Sequence, residues 1–165
     1  MPHAADRDLL DALLDSWDRS NTILVNLLGA IPEGAMEVRA MEGSPSIAEL
    51  FTHIHYVRLV FVAEDAPELA IDMPKQEWVA ERDRARMAEM LHESARVVRE
   101  AVKGRLASGR AMECHYDHPI LMLQHMLWHE GYHHGQIKLA LKMAGRPLRD
   151  EGAGPLTWGV WMRKR

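Results

Sequence analysis

Apolar residues recur every three to four positions through four long stretches of the chain, with polar residues filling the gaps. That period marks amphipathic helices, because a 3.6-residue turn brings such positions onto one face. The first stripe is Leu9, Leu10, Leu13, Leu14, Trp17, Leu24, Leu27 and Leu28. It predicts a helix over residues 5–30, closed by Pro32 and Gly34, with Asp11, Asp15 and Asp18 on its wet face. Ser46-Ile47-Ala48-Glu49 reads as a capping box. It opens a second helix to about Glu64, with Ile47, Leu50, Phe51, Ile54, Val57 and Phe61 on its apolar face. Residues 65–78 hold Pro67 and Pro74 and read as loop, and Trp78 is expected to cap the core where a third helix begins. That helix is predicted over residues 79–106 from Met87, Met90, Leu91, Val97, Val98, Ala101 and Val102. Pro119 suits the first position of a fourth helix, and Gly145 with Pro147 stops it after Met143. Residues 152–165 read as a short turn laying Trp158 and Trp161 on the bundle or on a partner. No segment alternates with the two-residue period of a strand. The expectation is an all-α chain, one four-helix-bundle domain over residues 1–165.

The fourth helix carries the chemistry. Five of the ten histidines lie between residues 118 and 134. At about 100° per residue, His118, Met122, His125, His129, His133, Gln136, Ala140 and Met143 share one stripe. Gln124, Gly131, Lys138 and Lys142 fall opposite. Two imidazoles at i and i+4 stand about 6 Å apart along the axis and can share one metal ion. His125 with His129, or His129 with His133, meets that condition. All three cannot, since they span about 12 Å of helix. The plainer alternative is a core face of hydrogen-bonded histidines, each needing its own partner once buried. On the second helix His53 and His55 lie on opposite edges of the apolar face, and periodicity does not say which faces the fourth helix. Gly131 and Gly135 fall near one another on the side flanking Trp128 and suggest that another helix approaches closely there, within the chain or across a dimer.

Composition narrows the setting. Apolar residues make up 47% of the chain but aromatics only 6%, with 11 methionines, which suits a helical core. The formal charge of -4 gives no basic footprint for nucleic acid. No apolar run approaches the roughly 20 residues of a membrane span. The N-terminus lacks the pattern of a secretory leader. A single cysteine, Cys114, precludes an internal disulfide. A cytoplasmic location is the expectation. Cys114 and His115 are neighbours, but no third group in the sequence orients them as a nucleophile and base.

Other readings compete for the same histidines. His129-Glu130-Gly131-Tyr132-His133 matches the H-E-x-x-H peptidase motif, with Glu130 as general base. The extended form of that motif is absent, no strand is predicted to line a cleft, and Glu151 as a third ligand lies beyond Gly145 and Pro147. A di-iron bundle would pair Glu89-x-x-His92 with Glu130-x-x-His133. Yet Glu89 and His92 fall opposite the third helix's apolar stripe, and the first helix has no glutamate. A bundle that binds a metal or ligand without catalysis remains the main rival to an enzyme. Tyr56 and Tyr132 read as core aromatics in preference to substrate contacts.

Two segments resemble a known family. Residues 46–54, Ser-Ile-Ala-Glu-Leu-Phe-Thr-His-Ile, are similar to the helix-two motif of the DinB/YfiT-like helical-bundle proteins. Residues 125–136, His-Met-Leu-Trp-His-Glu-Gly-Tyr-His-His-Gly-Gln, are similar to their helix-four signature. By motif position, the resemblance implies a mononuclear divalent metal (zinc, nickel or iron) on His53, His129 and His133. It implies an antiparallel bundle of up-down-down-up type, often dimeric. Some relatives are thiol S-transferases or isomerases using low-molecular-weight thiols, so a thiol substrate is the implied chemistry. His125 and Gln136 then become candidates for groups supporting the ligands. The family commonly has Arg just before the Gly-Gln pair, where this chain has His134.

Overall fold

The computed structural model describes residues 4–163, so Lys164 and Arg165 at the end of the expected C-terminal segment lie outside the described residues. Four long helices carry the fold: α1 (Ala4–Ala30), α2 (Ile47–Asp65), α3 (Arg84–Ser108) and α4 (Pro119–Met143). Two short ones follow, α5 (Asp150–Leu156) and α6 (Trp158–Trp161). A 3₁₀ turn spans Pro67–Leu69. No strand occurs among the described residues beyond an isolated bridge between Arg39 and Ser46.

Local chemistry sets the helix ends. The Ser46–Glu49 capping box forms in both directions, which satisfies donors that a helix start otherwise leaves bare. His118, expected on the metal stripe, is instead the N-cap of α4; its ring accepts from Ile120 N and Pro119 follows. The third helix starts later than its pattern predicts. Asp83 caps it by accepting from Ala85 N and Arg86 N, so residues 79–83 stay outside. Gly109 closes it at φ 65°, a left-handed turn that costs glycine little.

Side-chain pairings fix the topology. Trp17 Nε1 donates to Ala95 O while Arg84 reaches Pro32 O, so α1 and α3 are antiparallel. His55 meets Met90, and Arg105, near the C-terminal end of α3, meets Glu68, just past the end of α2, so α2 and α3 run the same way. His53 meets His129, and Phe61 packs on His125, so α2 and α4 are antiparallel. The order is up-down-down-up. Its one long crossover, residues 66–83, carries the chain back along the bundle.

The core has two apolar clusters. One holds Leu24, Ile54, Leu91 and Ile137; the other holds Trp17, Leu59, Val98 and Met126. Between them lies a polar layer. Arg58 from α2 is fully buried and donates to Glu130 Oε1 at 2.6 Å, Asn21 Oδ1 at 2.9 Å, Leu91 O at 2.8 Å and Ser94 Oγ at 3.3 Å. Its guanidinium also sits 4.8 Å from the centre of the Trp17 ring. One side chain thus ties α2 to all three other long helices.

Candidate metal centre

His53 projects from α2, and His129 and His133 from successive turns of α4. Their Nε2 atoms converge: His53 to His129 is 3.1 Å and His133 to His129 is 2.9 Å. Ligand atoms of the three lie within 4.8 Å of one another, the spacing of a group that could hold one metal ion. The open question at His53 and His55 is settled by geometry. His55 Nδ1 lies 2.8 Å from Met90 O, to which it donates, so it serves the α2–α3 packing.

What holds the other ring nitrogens decides whether the trio fits a cation. Gln136 Oε1 lies 2.7 Å from His133 Nδ1 and can only accept, so the proton sits on Nδ1 and Nε2 is a bare lone pair. Gln136 is held in turn by donating from Nε2 to Tyr132 Oη at 3.1 Å. Glu77 Oε1, from the crossover, lies 2.9 Å from His53 Nδ1, off the axis of that N–H, and favours the same tautomer. Two Nε2 lone pairs therefore point at a shared locus beside the third imidazole, an arrangement suited to a cation. Burial, then the neighbouring His133 and His53, pushes the His129 pKa down to about 3, so it too is neutral at physiological pH. His53 is lowered by burial and by His133, with Glu77 opposing. His133 is lowered by burial, with Gln136 opposing. Neutral imidazole is the form that ligates.

The indole of Trp78 lies flat on the His53 ring at 4.1 Å between centroids and 4° between planes. It was expected to cap the core; it roofs this site, still partly exposed. Glu77 and Trp78 were missed as site residues because nothing in the pattern ties a Pro-rich loop to a helix histidine.

Residues 1–149 match the DinB family as a whole. The chain belongs to the DinB family. Comparison with curated proteins and with solved structures gives no match. The match covers all four long helices and ends just before α5, so α5 and α6 lie outside the matched region of this DinB-family chain.

Several other expectations are corrected. The inward face of α4 is centred on Met126, Glu130, His133 and Ile137, and the histidine stripe forms its edge toward α2 and the crossover; Met143 is exposed. His125 does not join the trio: its Nδ1 lies 2.7 Å from Tyr116 Oη and its ring centre 6.4 Å from that of His129. Tyr132 is exposed and stacked on Trp128, so it is not a core aromatic. Glu130 cannot play the peptidase base, being 1% exposed and bound to Arg58. Burial raises its pKa and Arg58 opposes that. The di-iron reading loses its second pair, because Glu89 and His92 are exposed on α3 and His92 meets Asn21. The third group missing beside Cys114 and His115 does exist. Buried Asp65 accepts from both backbone N–H groups and from His115 Nδ1. It holds the loop on α2, while His115 Nε2 faces Glu64 at 3.7 Å. Finally, no side chain approaches within 4 Å of a Cβ placed at Gly131 or Gly135. Among the described residues no helix approaches closely there.

Proposed function

We propose that this DinB-family protein is a metal-dependent enzyme, its divalent ion held by His53, His129 and His133, with thiol S-transfer as its reaction. The observation that carries the reading is the convergence of three Nε2 atoms while Gln136 and Glu77 engage the Nδ1 atoms of His133 and His53. Structural zinc sites are closed by four protein ligands, whereas three leave a position for water or substrate. A bound divalent ion would supply Lewis acidity, favouring a thiolate or hydroxide at neutral pH. The protein's part is to keep three imidazoles neutral and aimed, and to shelter His53 beneath Trp78. Imidazole donors suit zinc, nickel and iron alike. The thiol rests on the family resemblance, and a cytoplasmic setting agrees with a lone cysteine. No helix of the described residues is long and apolar enough to cross a membrane. The second reading is a bundle that binds the metal without turnover; a peptidase is disfavoured by the burial of Glu130.

The test is metal content per chain after purification without added metal, wild type beside His53→Ala and His133→Ala. About one equivalent in wild type and none in either variant is expected. Wild type without metal, and taking up none from zinc or nickel solutions, overturns the reading. Turnover of an electrophile with a low-molecular-weight thiol, abolished in His129→Ala, separates the enzyme from the binder.

A further inference from the structure

On the flank of α4 away from the trio, Thr157 and α6 close a cleft of about 340 Å³ against α1. Its walls include Leu127 of α4, Ile23 and Leu24 of α1, and the indoles of Trp158 and Trp161. The segment that builds it is held firmly. Arg19 donates to Val160 O at 2.6 Å and to Arg163 O at 2.9 Å, and Asn26 donates to Leu156 O at 2.8 Å. Trp158 is seated against Gly154, where a Cβ would come within 2.9 Å of the ring. Gly159 is equally obligatory, since its Cβ would meet Gly154 O at 2.9 Å. Two glycines and an almost buried arginine fix these indoles in place, and all of α5 and α6 lies beyond the family match.

The polar groups at this cleft define what fits. Lys138 stands over Trp158, its Nζ 5.5 Å from the ring centre, and is half-buried. Among the described residues no carboxylate forms an ion pair with it: Glu130, the one carboxylate on the lining, is bound to Arg58, and Asp150 and Glu151 lie with Lys138 along a separate neighbouring cavity. His134 borders the same wall. An apolar cleft with one unpaired cation and few other polar groups matches a small ligand with an apolar body and one anionic head. We propose that this cleft is a second ligand site, distinct from the histidine trio, for a small aryl or branched aliphatic carboxylate. The body lies against Trp158 and Trp161, and the carboxylate pairs with Lys138.

The test uses the full chain and follows the five indole N–H signals by NMR, assigned by single Trp→Phe changes, during titration with phenylacetate and 4-methylpentanoate. Phenylacetamide and phenethylamine are the matched neutral and cationic controls. Saturable shifts at Trp158 and Trp161, with Trp78 at the trio silent, are expected at millimolar affinity or tighter, as about ten non-hydrogen atoms allow. Lys138→Met should weaken the acids about tenfold and leave the amide unchanged. Gly131→Leu and Ser20→Leu, which plug the cleft from α4 and α1, should each abolish the shifts. Gly131 has open space for the added side chain. No shifts up to about 10 mM, a preference for the amine, or shifts that survive both plugs would each overturn the proposal. So would shifts that appear first at Trp78, which would place the acids at the trio. Zinc loading of the trio should leave the affinity unchanged.

Discussion

Each imidazole of the trio presents Nε2 to its neighbours, and for two of them an oxygen beside Nδ1 favours that choice. Gln136 does so for His133 on line, at 2.7 Å; Glu77 does so for His53 off line, with a side chain still 40% exposed. Groups that orient metal ligands typically change affinity by about 10- to 100-fold. Gln136→Leu should therefore weaken zinc at the upper part of that range, because the ring loses its acceptor and can present the wrong tautomer. Glu77→Gln should fall at the lower part. Chelator competition at fixed pH measures both, with the urea midpoint as the check on folding. Gln136→Glu restores an acceptor and should recover most of the affinity. If Gln136→Leu binds zinc as wild type does, Gln136 does not set the tautomer.

Between elements, the decisive contact is Arg58 with Glu130. Both are almost fully buried, and they tie α2 to α4 midway between the apolar clusters. Removing one partner strands a charge in the core, at a cost of about 3–5 kcal/mol, whereas replacing both with apolar groups of similar volume is often neutral. Arg58→Met and Glu130→Leu should each destabilise by roughly that amount in urea unfolding. The double variant should regain most of it, and single effects that merely add would sink this account. Arg58 lies five residues beyond His53 on α2, and Glu130 lies between His129 and His133. The double variant should therefore hold zinc more weakly even where its stability is restored. This pair also marks where the sequence stops being readable. Helical period and capping give four helices and, with the family motif, the three histidines. The same period misplaces the centre of α4, because Glu130 reads as a polar interruption until its partner 72 residues away is known. One signal was available: Arg58 falls i+4 from Ile54 and Glu130 i+4 from Met126, so opposite charges sit on two core faces. The late start of α3 turns on the Asp83 cap, and the place of Trp78 turns on tertiary contacts that no local pattern encodes.

At the scale of the molecule, α4 leaves an apolar outer face without a partner among the described residues. Leu121, Trp128, Tyr132, Leu139 and Met143 are all exposed, Trp128 at 71% and Met143 at 68%. At about 100° per residue these positions and Gly135 fall on one narrow outer stripe. We propose that a second copy covers it through a two-fold axis, with the two α4 helices antiparallel. With the axis between residues 131 and 132, Trp128 meets Gly135 of the other copy and Tyr132 meets Gly131. Each bulky ring then faces a glycine with open space above it. The same register sets Asp117, just before α4, opposite Arg146, just after it, at both ends, so charge and shape agree on one alignment. Trp128→Glu should convert a dimer into a monomer in light scattering at concentrations where wild type stays dimeric, since two carboxylates would be buried against the partner's helix. Gly135→Leu should have the same effect by filling the space that receives Trp128. Leu9→Glu, an exposed apolar position on α1, should leave the dimer intact. The stripe includes Tyr132, which holds Gln136 on His133, so the monomeric variants should also hold zinc less tightly. A wild type that stays monomeric at about 100 μM, or a dimer that tolerates both α4 substitutions, would place the interface elsewhere.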